Sequence, residues 1–270
     1  MDTDEEGFCD ESQFHREDEQ WQTVLSVCIR VYPWLTNSCS SSTAGFRNTN
    51  APAGAGFRSH VMNDFTIRPA HDGDQPGAYH VCMKTGNFGK DGEPFYREDP
   101  DALGRIFVGP YLAYEPELSL ILEDEQGVCG YALGAFDSRQ FFARYEQEWR
   151  PKLCAQFPAL TGDPASWTRV QTVHHWYHHP DYFMPEPYDA YPSHLHIDLL
   201  ERAQGRGFGR RMMEQVIDRL RERGSPGAHL GVSLLNTTAF GFYQRLGFRE
   251  LIRVGEGSDG CIYMGKSLRG

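Results

Sequence analysis

A glycine-rich turn between two regular segments restricts the fold of this chain more than any other feature. Residues 204–209 read Gln-Gly-Arg-Gly-Phe-Gly, and glycines let a backbone turn sharply and direct several N–H groups at one point. Residues 194–200 alternate like a strand, and residues 210–223 repeat apolar side chains at helical spacing. The pattern predicts strand, turn and helix in succession, with a place for an anion at the helix N-terminus.

Two well-known phosphate-binding turns occur in a different sequence context. A nucleotide-triphosphate P-loop has the spacing GxxxxGK[ST], which residues 204–209 lack. A dinucleotide-binding fingerprint opens an early βαβ unit and has an acid at the tip of a following strand. Here the turn comes late, and the next predicted strand, residues 228–235, contains no acid. A purely structural need for glycine in a tight connection stays open as the alternative.

The remaining segments alternate between strand and helix patterns, which indicates an α/β (α+β) fold with a mixed sheet flanked by helices. Strands are predicted at residues 65–69, 118–124, 128–136, 194–200, 228–235, 248–254 and 261–267. Helices are predicted at residues 75–85, 139–157, 210–223 and 237–246. The turn at 124–127 predicts an antiparallel hairpin, and residues 162–192 are interpreted as a loop-rich insertion.

Charge and composition divide the chain into an extension, residues 1–60, and one domain, residues 61–270. Residues 1–20 hold nine acids and one arginine, so a net charge of −3 remains for the other 250 residues. A nucleic acid is therefore not an expected partner. No apolar run reaches the roughly 18 residues of a membrane helix. Seven scattered cysteines without a CxxC pair favour reduced thiols and a cytoplasmic protein.

A second pattern follows the turn at a distance of one helix and one strand. Residues 236–248 read Asn-x-x-Ala-x-x-x-Tyr-x-x-x-Gly-Phe. With Gln-x-x-Gly-x-Gly at residues 204–209, this pattern resembles the acetyl-CoA-binding motifs of GNAT N-acetyltransferases. The two motifs cover about residues 193–254, and the earlier strands fit the superfamily's other elements.

The resemblance implies acetyl-CoA as the cofactor, with its pantetheine in a cleft where the strands 194–200 and 228–235 splay apart. Backbone groups near Leu199 and Glu201 would pair with it like an added strand. Asn236 could bond to it through its amide or cap a helix, and both roles can hold together. The implied cofactor-binding residues are Leu199, Leu200, Glu201, Gln204, Gly205, Arg206, Gly207, Phe208, Gly209, Arg210, Asn236 and Tyr243.

Two further segments, residues 122–134 and 192–198, are similar to the acetyltransferase-like C-terminal domains of O-GlcNAcases. The animal members of that group have a degenerate pyrophosphate turn, whereas this chain keeps it. The chain is also too short to hold a hydrolase domain beside this one. The resemblance therefore favours cofactor binding more than a role in sugar removal.

Acetyl transfer to an amine needs a base for the ammonium proton and an acid for the leaving thiolate. Tyr243 matches the superfamily's acid, and a phenol of pKa about 10 can protonate a thiolate; a core tyrosine is the alternative. His194, His196 and Asp198 share one strand face. His196 is the candidate base, with Asp198 to orient it. Polar residues that merely line an open cleft edge are the alternative.

A histidine-rich segment at residues 174–181 has the i, i+4 spacing of some metal sites. It has no HExxH pattern and no clear third ligand. We interpret it as a loop that binds the acceptor or gates the cleft, and no metal site is predicted.

The sequence thus predicts an N-acetyltransferase that transfers acetyl directly to a small-molecule or peptide amine. The rival hypothesis is a catalytically inactive relative that binds acyl-CoA or a protein. The acceptor and the oligomeric state are not predicted.

Overall fold

The computed structural model describes residues 64–182, 186–257 and 260–269. The extension predicted for residues 1–60 lies outside these ranges. The strands are β1 (Thr66–Pro69), β2 (Ser119–Asp124), β3 (Gly127–Ala135), β4 (Ser193–Leu199), β5 (Gly227–Ser233), β6 (Arg249–Val254) and β7 (Cys261–Ser267). They form one sheet in the order β1-β2-β3-β4-β5-β7-β6. Only the β4–β5 pair is parallel, so the prediction of a mixed sheet is confirmed.

Helices cover both faces of the sheet. They are α1 (Gln75–Thr85), α2 (Glu93–Tyr96), α3 (Gly104–Phe107), α4 (Gly109–Tyr114), α5 (Ser138–Arg144), α6 (Arg150–Gln156), α7 (Arg169–His178), α8 (Phe208–Glu222) and α9 (Thr237–Arg245). The helix predicted at residues 139–157 is α5 and α6 joined by a π-helical turn. The helices predicted at the other three places are confirmed to within about two residues at each end.

Two apolar layers hold the sheet between the helices. The predicted apolar stripe of α8 packs on one face, where Leu120 and Leu122 of β2 also point. The stripe consists of Met212, Met213, Val216, Ile217 and Leu220, all of them buried. Ile121 points to the opposite layer, which contains residues of α1, α3, α4 and α7. Both faces of β2 are thus buried, which explains its continuous apolar sequence.

β4 and β5 are hydrogen-bonded at one end only. Their register contains two pairs, Ser193 with Ala228 and His194 with His229. Beyond that point β4 stays paired with β3 as far as Leu199, and β5 stays paired with β7. Each strand follows its other neighbour, so the two strands separate and leave facing edges without a partner strand.

One interpretation of the local structure was wrong, and three short helices were missed. Residues 162–192 are not only loop, because α7 begins at Arg169 behind a capping box formed by Thr168 and Gln171. Helices α2, α3 and α4 were also not predicted; each has only four to six residues, too few for a helical period to be recognised.

The composition led to two expectations, one about the cysteines and one about membrane-crossing helices. Cys82, Cys129 and Cys154 are free thiols, but Cys261 is disulfide-bonded, which differs from the expectation of reduced thiols throughout. Among the described helices, none is long and apolar enough to cross a bilayer.

Candidate active site

The separated ends of β4 and β5 enclose a cleft of about 80 Å³. It lies between the two strands that the sequence predicted to splay apart. Its remaining walls come from the loop after α1 and from the start of α9. The lining residues are Thr85, Phe88, Gly89, Leu195, His196, Ile197, Asp198, Gly231, Val232, Ser233, Asn236, Ala239 and Tyr243.

A hydrogen-bonded group of three side chains stands at the β4 wall of the cleft. Tyr131 of β3 lies opposite Asp198 in the register and donates its hydroxyl proton to the carboxylate at 2.5 Å. His196 Nε2 lies 2.9 Å from the Tyr131 oxygen and 3.1 Å from the same carboxylate. Because the tyrosine proton is already donated, Nε2 must carry a proton, which leaves the lone pair on Nδ1.

His194 lies on the same face of β4 but outside the cleft. Its Nδ1 lies 2.7 Å from Ser138 Oγ, and its Nε2 lies 2.8 Å from the Tyr111 hydroxyl. The ring of Phe142 stacks on it at 5.1 Å. Burial, followed by the nearby His229 and His196, holds the pKa of His194 well below its usual value. His194 is therefore a neutral, fully bonded core residue in this arrangement.

Tyr243 extends from α9 into the cleft and is only 8% exposed. Burial raises the pKa of its hydroxyl, and the charge of Asp198 raises it further. The hydroxyl therefore keeps its proton at neutral pH and can act as a donor. Because the Asp198 charge acts on Tyr243, the candidate acid and the candidate base group share one electrostatic environment.

The glycine-rich turn joins β4 to α8 in the predicted manner. Gly205 and Gly207 have φ of 70° and 79°, values that favour glycine, and a Cβ on either would meet no atom within 4 Å. The N-cap residue Gly207 provides no side-chain hydrogen bond to α8. The first N–H groups of the helix are therefore available to an anion, where the helix dipole adds positive potential.

Comparison with models of protein families assigns this chain to a family. The model described as the Acetyltransferase (GNAT) family matches residues 89–248, which include the turn, α9 and all residues of the cleft except Thr85 and Phe88. The chain belongs to the GNAT acetyltransferase family.

Two kinds of relatives support this assignment. The O-GlcNAcases of Rattus norvegicus and Mus musculus are 28% identical over 205 residues, which are 76% of this chain and 22% of theirs. The chain thus spans about a fifth of the length of these curated relatives. The crystal structure of SsHAT is 36% identical, covers 76% of this chain and 99% of its own, and has a TM-score of 0.66. The predicted relation to O-GlcNAcase is confirmed.

The GNAT cleft offers fewer free backbone groups on β4 than the sequence implied. The Leu200 N–H donates to Cys129 O at 2.8 Å, and the Leu199 carbonyl accepts a hydrogen bond from Gln204 Nε2 at 2.8 Å. Glu201 begins a 3₁₀ turn just beyond the strand. A ligand that pairs with Leu199 as an added strand would therefore have to displace the Gln204 amide from that carbonyl.

The arginines and the phenylalanine at the glycine-rich turn contact neighbouring residues. Arg206 is exposed and lies over the ring of Phe65, 5.0 Å from its centroid, and Phe65 packs on Phe208 at 4.8 Å. Arg210 bonds to Glu214 and to the Arg245 carbonyl, each at 3.2 Å. Arg206 is thus the predicted arginine that stands at the turn, whereas Arg210 faces α9.

Asn236 fills one of the two roles that the sequence left open, because it caps a helix. Its Oδ1 accepts a hydrogen bond from the Ala239 N–H at 3.1 Å, so it caps α9. Its Nδ2 points toward Gly89, where an added Cβ would approach to 2.9 Å. Both residues line the cleft, so the amide nitrogen keeps its donor capacity at the cleft wall.

The histidine-rich segment belongs to α7 and does not line the cleft. His174 bonds to the Asp99 carboxylate at 2.8 Å, and His178 bonds to a backbone carbonyl. His175 and His179 stack on each other, 4.3 Å between centroids. Within the described ranges no group of three His, Cys, Asp or Glu side chains is arranged to hold a metal ion.

The sequence analysis missed two parts of the site, which are Tyr131 and the residues at the end of α1 and just after it. Tyr131 occurs in an apolar strand, where a buried hydroxyl needs a partner. That was the available signal, but only the sheet register shows that the partner is Asp198. Thr85, Phe88 and Gly89 have no motif in this sequence. Only the folded chain brings them to the cleft.

Proposed function

We propose that this chain is an acetyl-CoA-dependent N-acetyltransferase that transfers acetyl directly to a primary amine. One observation supports it most. The same cleft contains the hydrogen-bonded His196–Asp198–Tyr131 group on one side and a protonated Tyr243 on the other. One side can take a proton and the other can give one, which is what acetyl transfer to an amine requires.

Acetyl-CoA fits the donor set of the cleft and the turn. The open backbone of Gly205 and Gly207 and the uncapped start of α8 suit a diphosphate. Arg206 adds a positive charge there, and the Asn236 amide can donate to the pantetheine arm. When bound, acetyl-CoA supplies the acetyl carbon as a thioester, and the C–S bond breaks as the new C–N bond forms.

The side chains of the chain then account for the protons. His196 Nδ1 accepts one proton from the substrate ammonium, so that the nitrogen lone pair can form the C–N bond. The Tyr243 hydroxyl gives its proton to the sulfur that leaves with the C–S electron pair. The nitrogen of the new amide then loses its second proton, which restores the Tyr243 phenol, and the proton held by His196 passes to the solvent. Asp198 and Tyr131 hold the imidazole in the tautomer with Nε2–H and stabilise the positive charge that it gains.

Acetyl-CoA binding by calorimetry is the first test, with glycine variants at the two ends of α8. Gly207→Ala and Gly224→Ala both place alanine at a positive φ without a steric contact, so both carry similar backbone strain of about 1 kcal/mol. We expect only Gly207→Ala to weaken acetyl-CoA binding. Equal affinities in both variants, or no binding to the unaltered chain, would refute the proposed cofactor site.

Turnover is then measured as CoA release with polyamines, amino sugars, aminoglycosides and histone-tail peptides. Tyr243→Phe should lower kcat by about 10²-fold while the acetyl-CoA affinity stays the same. An unchanged kcat would remove Tyr243 as the acid.

A catalytically inactive acyl-CoA-binding module is the second candidate function. It keeps the cofactor site without turnover. The Gln204 amide occupies the Leu199 carbonyl to which pantetheine would bond, so it would weaken cofactor binding in either candidate. This candidate predicts acetyl-CoA binding without CoA release across the whole amine panel. Gln204→Ala, which frees the carbonyl, should then tighten the binding.

A further inference from the structure

A second cavity lies between α3, α4, α5 and α7. Its volume is about 70 Å³. Aromatic rings form most of its wall, and the principal ones belong to Phe107, Tyr111, Phe142, Tyr145, Trp176 and Tyr182. Cavities with apolar walls and a few directed polar groups are typical ligand sites.

Two polar atoms in this wall are buried without a hydrogen-bonding partner in the described part of the chain. They are the Tyr145 hydroxyl and Trp176 Nε1; the two residues are 3% and 4% exposed. A buried donor without an acceptor is costly, and such groups are rare in native proteins. An indole N–H can only donate, so the complementary group is a hydrogen-bond acceptor.

One ring connects this cavity to the catalytic histidine. Phe107 lines the cavity and stacks near His196, with 6.3 Å between ring centroids and 19° between planes. On its other side it makes an edge contact with Trp176 at 6.4 Å. Phe107 thus separates His196 from Trp176, and a molecule that places its amine at His196 would have to pass this one ring to reach the cavity.

The acidic groups near the cavity already interact with other residues of the protein. Tyr182 donates its hydroxyl proton to Glu146, which also pairs with Arg150 at 2.7 Å. Asp181, the acidic residue of the wall, has an interaction of its own. An uncharged ligand is therefore favoured over a cation, which would lose its hydration among aromatic rings.

We propose that this cavity, defined by the six rings above, recognises the far end of the amine acceptor. It takes a short, uncharged, apolar group that carries a hydrogen-bond-accepting oxygen, such as a carbonyl. Tyr145 and Trp176 donate to that oxygen, and the amine lies at His196. The inference rests on the proposed acetyltransferase function, which it deepens by giving the class of acceptor.

Three primary amines of nearly equal shape test the proposal. They are 3-amino-N,N-dimethylpropanamide, its hydrocarbon counterpart 4-methylpentan-1-amine, and the dication of N,N-dimethylpropane-1,3-diamine. Binding is followed on the ¹⁵N–¹H signal of the Trp176 indole, which Trp176→Phe assigns. We expect the amide to shift this signal and to bind about tenfold more tightly than the other two amines.

Variants that remove one hydroxyl separate recognition from packing. Tyr145→Phe removes the cavity donor. Tyr114→Phe removes another buried hydroxyl that has no hydrogen-bonding partner in the described part of the chain and does not line the cavity. Neither should lower Tm, because neither loses a hydrogen bond within the protein. Only Tyr145→Phe should weaken amide binding, by about tenfold, and raise KM for the amide in CoA release more than it lowers kcat.

The outcomes distinguish this proposal from the one on which it rests. If acetyl-CoA binds but the amide leaves the Trp176 signal unchanged, the cavity proposal is wrong and the acetyl-CoA site stands. Equal or tighter binding of the hydrocarbon or the dication also overturns it. If the amide shifts the signal but acetyl-CoA does not bind, the cavity is a ligand site and the acetyltransferase function fails.

Discussion

His194 and His196 are two residues apart on the same face of β4, yet their surroundings differ in almost every respect. Both nitrogens of His194 have hydrogen-bonding partners, and aromatic rings enclose it. His196 uses one nitrogen toward Tyr131 and Asp198 and lines the cleft. We call the part of β4 that pairs with β5, residues 193–194, the closed half, and the part beyond it the open half. His194 belongs to the closed half and His196 to the open half.

The point where β5 leaves β4 accounts for this difference. The parallel pairing ends with His194 and His229, so every β4 residue before that point is covered by the sheet and by α5. The four residues after it, 195–198, line the cleft. Residue type and strand face therefore do not assign a function by themselves, and the extent of a neighbouring strand decides which histidine a substrate can reach.

The largest effect is expected for the histidine in the open half. His196→Gln removes the ring nitrogen that we propose as the proton acceptor and should lower kcat by about 10²–10⁴-fold. The His196 side chain is only 10% exposed, but a glutamine amide can keep an N–H donor toward Tyr131 and Asp198, so the free energy of unfolding should fall by about 1 kcal/mol or less. CoA release and urea unfolding measure the two quantities. A variant that keeps full turnover would exclude His196 as the base.

The same substitution in the closed half should have the reverse effect. His194→Gln disrupts two buried hydrogen bonds and a stacked ring, so we expect a loss of about 2–4 kcal/mol in the free energy of unfolding. The kcat of the folded protein should stay within about twofold. If His194→Gln abolished turnover without loss of stability, the division of β4 into two halves would be wrong.

Acid titration extends the comparison to His229 of β5, which pairs with His194 in the closed half. Burial lowers the pKa of His229 to about 4, and its hydrogen bonds to Tyr191 and Ser193 only partly offset this. The unfolded chain protonates near pH 6.5, so the stability that neutral His229 contributes is complete above that pH and is lost as the pH falls toward 4.

The expected loss for His229 alone is about 2 kcal/mol between pH 7 and pH 5. His229→Gln cannot titrate, and its urea unfolding should show a pH dependence that is smaller by this amount. The open-half variant His196→Gln serves as the control. An identical pH dependence in His229→Gln and the unaltered chain would show that folding does not lower the pKa of His229.

The regular elements and the cofactor motifs could be predicted because their signals are local. The α8 stripe repeats at helical spacing, β4 alternates, and Gly207 needs a positive φ. The helices α2, α3 and α4 were missed because each is too short to show a period. α7 was missed because its histidines resembled a polar loop, although Thr168 and Gln171 already formed a capping box.

The site itself could be predicted only in part, because its chemistry depends on contacts between distant segments. His196 and Asp198 were found from strand alternation, but the same rule placed His194 with them. The partner that orients them, Tyr131, comes from β3 and is separated by 65 residues from His196. Strand alternation gives the face of a residue, and only the sheet topology gives its neighbours.

The smallest effect is expected at Tyr131, the link between the open half of β4 and the strand beside it. Tyr131→Phe removes the hydroxyl that donates to Asp198 and accepts from His196, but the direct His196–Asp198 contact at 3.1 Å remains. The tautomer with Nε2–H therefore stays favoured, and kcat should fall by only about tenfold, with KM for acetyl-CoA unchanged. Tyr177→Phe removes a buried hydroxyl from the same core layer, where it donates to Ala102 O at 2.8 Å, and should leave kcat unchanged. If both variants lost the same share of kcat, the Tyr131 hydroxyl would act through packing and not through His196.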